Sequence, residues 1–141
     1  MEGQTVVIVG GASGLGLETA KLMRKRGATK IGIVDRNEQL MAAAAEVLRA
    51  EGCEVATAVG DISRQESAHG AFQQIVDALG RVHCLVNSAA IYPRKDIFEI
   101  TDEEWDLENA VNIKGTYHMM VAAVKHMQAY VEAPAVTGRI V

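Results

Sequence analysis

Residues Thr5–Val9 are all β-branched, and they run directly into a cluster of glycines, Gly10, Gly11, Gly14 and Gly16. Such a run, bounded by glycine, reads as a strand buried on both faces, followed by a tight strand-to-helix turn. Strands of this kind pair in parallel, and parallel strands need long crossovers, usually helices. The first sixteen residues therefore commit the rest of the chain to alternate strand and helix.

The remaining pattern agrees. Leu15 to Arg26 reads as a helix with a basic last turn, Arg24-Lys25-Arg26, and Gly27 as its stop. Lys30–Asp35 reads as a second strand. Glu38 to Glu51 reads as a second helix, with Leu40, Met41, Ala44, Val47 and Leu48 on one face, Asn37 as N-cap and Gly52 as stop. Glu54–Val59 is a third strand. Ser63-Arg64-Gln65-Glu66 has the form of a capping box, opening a helix that carries Phe72, Ile75, Val76 and Leu79 and ends at Gly80. Val82–Val86 is a fourth strand, and a loop from Asn87 to Ile100 follows. Thr101-Asp102-Glu103-Glu104 is a second capping box. Helical periodicity then runs, with a break or bend, to about Val131, and Pro134 ends it. Gly138–Val141 looks like the start of a fifth strand. The expectation is one α/β domain over residues 1–141, a parallel sheet with helices on both faces and right-handed crossovers.

Composition narrows the function. Of 141 residues, 49% are hydrophobic and 23% charged, which excludes a disordered chain. The net charge of −4 argues against a nucleic-acid partner. No apolar stretch is long enough to span a membrane, and the first residues lack a signal-peptide pattern. Cys53 and Cys84 read as buried thiols of a cytoplasmic protein, and no His–Cys cluster suggests a metal.

The glycines follow the spacing Gly10-x-x-x-Gly14-x-Gly16, not the commoner Gly-x-Gly-x-x-Gly. A diphosphate needs bare amides at a helix N-terminus, and a Cβ at the point of closest approach would block it. Ser13 can add a hydroxyl. A tight turn that is merely glycine-rich would look the same. Asp35 favours the ligand: it closes the second strand 19 residues after Gly16, where a carboxylate can accept bonds from ribose hydroxyls. It would also repel a 2′-phosphate, which points to NAD over NADP, although Arg36 beside it could pair with that phosphate.

With these features in place, the chain resembles the short-chain dehydrogenase/reductase family from Thr5 to Val141. The family's Thr-Gly-x-x-x-Gly-x-Gly is represented by Val9-Gly10-Gly11-Ala12-Ser13-Gly14-Leu15-Gly16, with valine for threonine. Asp61-Ile62 match the acidic and apolar pair that the family places beside adenine. Asn87-Ser88-Ala89-Ala90 matches its Asn-Asn-Ala-Gly at Asn87 and Ala89 and departs at Ser88 and Ala90. The resemblance gives Asn87 the task of bracing the central strands. It matches Asn112-Ile113-Lys114-Gly115 to an Asn-x-x-Gly segment whose asparagine holds a water in a proton relay. It implies a Rossmann-like doubly wound sheet, four strands and the start of a fifth. Its implied activity is NAD(P)-dependent hydride transfer to or from a small alcohol or ketone, in a homo-oligomer.

The family's serine and Tyr-x-x-x-Lys do not occur here. Tyr92 is followed at the fourth position by Asp96, Tyr117 by Val121 and Tyr130 by Pro134. We therefore expect these 141 residues to be the cofactor half of a longer enzyme, inactive alone, with Tyr117, Met120, Val121, Val124 and Met127 left exposed. A non-catalytic nucleotide-binding or interaction module is the competing function. A methyltransferase, which also sets a glycine loop before a ribose-binding acid, is disfavoured by the Gly10–Gly14 gap and the Asn87 segment. Arg94 and Lys95 in the Pro93–Ile100 loop read as a solvated basic tip.

Overall fold

The structure is a computed structural model and describes residues 1–130 and 138–141. Its elements are β1 (Thr5–Val9), α1 (Gly14–Lys25), β2 (Lys30–Asp35), α2 (Glu38–Ala50), β3 (Glu54–Val59), α3 (Gln65–Leu79) and β4 (Cys84–Asn87). A 3-10 turn (Ile97–Glu99), α4 (Asp102–Asn109), a π-helical segment (Ala110–Gly115), α5 (Thr116–Gln128) and β5 (Arg139–Ile140) follow. The sheet is parallel throughout, in the order β3-β2-β1-β4-β5. The chain builds outward from β1 through β2 to β3, then returns to the other side of β1. The reversal falls between β1 and β4.

Alternate side chains of a strand point to opposite faces, and here both faces are covered. Val6, Ile8, Ile31 and Ile33 pack with Ala20 of α1 and Met41, Ala44 and Leu48 of α2. Val7, Val9 and Val34 pack with Phe72 and Ile75 of α3 and Met119 and Ala123 of α5. Each fully buried aliphatic side chain is worth about 1.5–3 kcal/mol, so the central strands anchor the fold. This is the doubly wound Rossmann-like sheet that the pattern implied. Cys53 and Cys84 are free thiols buried in the α1–α2 layer, and burial raises the pKa of both.

Several local expectations are corrected. The Ser63–Glu66 capping box does not form: the Ser63 hydroxyl donates to Asp61 Oδ1 at 2.6 Å, and α3 starts after Arg64 without a side-chain cap. A carboxylate two residues away is a stronger acceptor partner than a helix amide is a donor. The Thr101–Glu104 box does form. The fourth strand begins at Cys84, not Val82, because the Val82 amide is taken by the His126 ring. Leu40 and Val47 lie on the exposed side of α2, whose buried stripe is Met41, Ala44, Ala45 and Leu48. The expected break in the long helix is the π segment. Its expected end at Val131 and Pro134 lies outside the described residues. Tyr117, Met120 and Val124 are exposed as expected, and Val121 partly so. Met127 is buried in the α3–α5 core, with Gly138 packed against its sulfur.

Candidate functional site

The carboxyl ends of β1 and β4 diverge at the topological reversal, where open α/β sheets form their crevice. A cleft of about 560 Å³ lies there. Every residue proposed above to contact a cofactor lines it, Asn87 excepted: Gly10, Ser13, Gly14, Leu15, Gly16, Asp35, Arg36, Asp61, Ile62, Ala89 and Ala90.

The floor is the glycine loop. Gly10 turns out of β1 at φ +72°, and a Cβ there would come within 2.7 Å of the Ala89 backbone. The loop and the segment after β4 therefore touch main chain to main chain. Gly16 is just as restricted, since its Cβ would meet the Gly10 carbonyl oxygen at 2.1 Å. Gly14 differs. It adopts φ +52°, but nothing lies within 4 Å of where its Cβ would be. The space beside Gly14 is the one a side chain would fill and a ligand can use. The Ser13 carbonyl accepts the Leu17 amide at 3.1 Å, so the amides of Gly14, Leu15 and Gly16 precede the helix's own hydrogen-bond ladder. The first turn carries no acidic side chain, and the Ser13 hydroxyl makes no capping bond. Leu15 is exposed at the cleft's lip.

Two acids line the rim. Asp35 Oδ2 accepts the Ala12 amide at 3.2 Å and Oδ1 accepts the Asn37 amide at 3.0 Å. Arg36 is exposed beside it. Asp61 Oδ1 accepts both the hydroxyl and the amide of Ser63, bonds that hold its carboxyl below the usual carboxylate range. The Asp61 amide donates to Ser67 Oγ at 2.9 Å. Ile62 is buried, and its carbonyl lies 2.9 Å from His118 Nδ1.

The wall is a polar chain. Asn87 Nδ2 donates to Thr116 Oγ1, and the Thr116 hydroxyl donates to the Asn112 carbonyl at 2.7 Å. Asn112 clamps the Ile91 backbone: its Oδ1 accepts the Ile91 amide at 2.9 Å and its Nδ2 donates to the Ile91 carbonyl at 2.7 Å. Asn112 lies inside the π segment, Ala110–Gly115; π turns shift carbonyls out of the regular ladder and often mark functional sites. Neither Asn87 nor Asn112 lines the cleft; both act from behind it. Thr116, Ser67 and His118 are not singled out by the sequence, and Tyr92 figures there only as a tyrosine without a lysine four residues on. For Thr116 a signal was present, since it sits four residues after Asn112 on a helical chain.

The short chain dehydrogenase family model matches residues 4–141. The chain belongs to the short-chain dehydrogenase family. It is 34% identical over 127 residues to an uncharacterised oxidoreductase of Thermotoga maritima, covering 90% of this chain and 49% of that protein. It is 33% identical over 129 residues to sorbitol dehydrogenase of Cereibacter sphaeroides, covering 92% and 49%. Its backbone superposes on the crystal structure of a gluconate 5-dehydrogenase from Burkholderia cenocepacia in complex with NADP and tartrate, with a TM-score of 0.86 and 29% identity. That match covers 99% of this chain and 52% of the other. The chain thus spans about half the length of the curated relatives it matches. Short-chain dehydrogenases are an oxidoreductase family that binds NAD(P). The fold is that of this family. No helix among the described residues is long and apolar enough to cross a membrane.

Proposed function

We propose that the cleft binds a nicotinamide dinucleotide and that the complete enzyme transfers hydride between that cofactor and a small alcohol or ketone. When bound, the nicotinamide supplies or accepts the hydride. The chain's own residues hold the rest. The amides of Gly14, Leu15 and Gly16 and the Ser13 hydroxyl hold the diphosphate, and Gly10 gives the turn. Asp35 holds the adenosine ribose, Asp61-Ile62 border the adenine, and Ala89 and Ala90 line the nicotinamide end, braced by Asn87. Asn112 anchors Ile91 through its side chain and holds a water of the proton relay. The observation that carries this reading is the open cradle at Gly14, set at the start of a helix whose first turn carries no acid.

Asp35 supports NAD. Its carboxylate is held on both oxygens by main-chain amides and would repel a 2′-phosphate. Arg36 gives the rim a partner for that phosphate, and a related gluconate 5-dehydrogenase is seen with NADP, so the ratio of the two affinities is the informative quantity. The exposed Trp105, Ile113, Tyr117, Met120 and Val124 support self-association through α4 and α5 in the complete enzyme. Free thiols at Cys53 and Cys84 support a reducing compartment, the cytoplasm. The absence of Tyr-x-x-x-Lys favours cofactor binding without turnover by these 141 residues alone, which as an isolated unit would be a non-catalytic binding module.

Calorimetric titration tests the reading. NADH should bind at least about tenfold tighter than NADPH, a difference of roughly 1.4 kcal/mol. A chain that binds S-adenosylmethionine and neither dinucleotide would refute it.

A further inference from the structure

We propose that Asp35 is a positioning residue for the phosphate loop, so that one carboxylate couples the ribose grip to the diphosphate cradle. The proposal rests on reading the cleft as a dinucleotide site. It goes further in giving the acid a task that exists before any ribose arrives.

The loop has little preference of its own for the required shape. Gly10 and Gly14 both stand at positive φ, and glycine at such positions leaves many alternatives open in the absence of external ties. Two consecutive residues of β2 supply the ties. The Val34 carbonyl accepts the Gly10 amide at 2.7 Å, and Asp35 Oδ2 accepts the Ala12 amide at 3.2 Å. Asp35 is itself immobilised from the other side, because Oδ1 accepts the Asn37 amide at 3.0 Å. Asn37 in turn caps α2 through the Leu40 amide at 3.0 Å. The carboxylate therefore joins the β1–α1 turn to the β2–α2 turn. Both turns border the cleft.

Electrostatics makes the proposal separable from a role in ribose binding alone. No lysine or arginine lies between Val9 and Gly16. The loop itself offers a bound diphosphate only amide dipoles; from the rim of the same cleft Arg36 attracts it and Asp35 and Asp61 repel it, and only Asp35 is changed in the variants below. If Asp35 served the ribose only, its removal would leave unchanged or strengthen the binding of a diphosphate without ribose hydroxyls. If it braces the loop, removal weakens that binding in spite of the relieved repulsion. The two roles predict opposite signs.

The test uses the 141-residue chain and two probes, ADP and 2′,3′-dideoxyadenosine 5′-diphosphate, titrated into wild type, Asp35→Ala and Asp35→Asn. Asp35→Ala should bind the dideoxy probe about fivefold or more weakly, the effect of losing a hydrogen bond to a charged group. Asp35→Asn, which keeps one acceptor oxygen, should lose about twofold. In the ligand-free chain, hydrogen exchange at the Ala12 amide should accelerate in Asp35→Ala. Dideoxy-probe binding by Asp35→Ala that is equal to or tighter than wild type overturns the brace, as does unchanged exchange at Ala12. If wild type binds neither probe, the dinucleotide reading fails instead, and exchange at Ala12 alone decides the brace. Should Asp35→Ala fail to melt cooperatively, Asp35→Asn carries the comparison in the same direction.

Discussion

The two ends of the sheet are built on opposite principles. At the carboxyl end of β1, the first amides of α1 have no side-chain cap and face open space beside Gly14. At the amino ends, side chains close the edge. The Thr5 amide donates to His83 Nδ1 at 3.0 Å, and the Val82 amide donates to His126 Nε2 at 3.0 Å. Lys30 Nζ reaches the Leu79 carbonyl at 3.3 Å and Glu54 at 3.1 Å. One end leaves its donors without side-chain partners and the other matches them. The difference shows that the same parallel sheet can end in donors its own side chains leave uncapped or in donors already matched.

The largest effect should come from filling the tight side of the open end. Gly16→Val drives a Cβ into the Gly10 carbonyl, and we expect more than about 3 kcal/mol of destabilisation and no measurable NADH binding. Gly14→Ala meets no atom. It should cost only about 1–2 kcal/mol for its left-handed backbone, while still losing NADH affinity where the side chain enters the cradle. Urea unfolding beside calorimetric titration separates the two. If Gly14→Ala keeps full affinity, the comparison between the ends breaks.

The closed end should respond to acid. His83 and His126 accept amides and are therefore neutral in the fold. For both, burial first and the nearby Arg81 second push the pKa below the ordinary 6.5. The unfolded chain then binds more protons than the folded one. The stability these rings contribute is complete above pH 6.5 and is lost as pH falls through the lower folded values. His126 also faces Phe72 and Tyr130, with the Arg81 guanidinium over Tyr130. His126→Phe should flatten the acid limb of a melting-temperature profile and cost about 1–3 kcal/mol at pH 8, where the Val82 amide loses its acceptor. An unchanged acid limb in a His83→Phe, His126→Phe double variant would remove the assignment.

A smaller effect sharpens the comparison from the cleft wall. Thr116→Val keeps the shape and removes the hydroxyl between Asn87 and Asn112. We expect about 1–2 kcal/mol of destabilisation, because Asn87 Oδ1 already has no partner among the described residues. NADH affinity should change less than in Gly14→Ala.

Much of this was legible in the chain. Thr5–Val9, Lys30–Asp35 and Glu54–Val59 fold as strands with the boundaries that their runs indicated, because strand-forming stretches leave a local record in β-branched residues, even at the largely exposed edge strand β3. The glycine loop and Asp35 were legible because each answers a demand of its own backbone or strand end. Ser63 was misread for the same local reason: its pattern fits a cap, but the nearby Asp61 carboxylate takes the hydroxyl. Met127 was misread because its covering partner, Gly138, comes from the far side of a crossover.

Taken alone, the order of residues determined the alternation of strand and helix, the parallel sheet and the position of the glycine turn, all of which follow from hydrophobic period and backbone sterics. Tertiary structure decided which atoms meet across long separations. Thr5 with His83, Val82 with His126, Asn87 with Thr116 and Ala12 with Asp35 pair between elements brought together by the crossovers. A hydrogen bond depends on positions within a few tenths of an ångström, and only the packed helices and strands supply that precision.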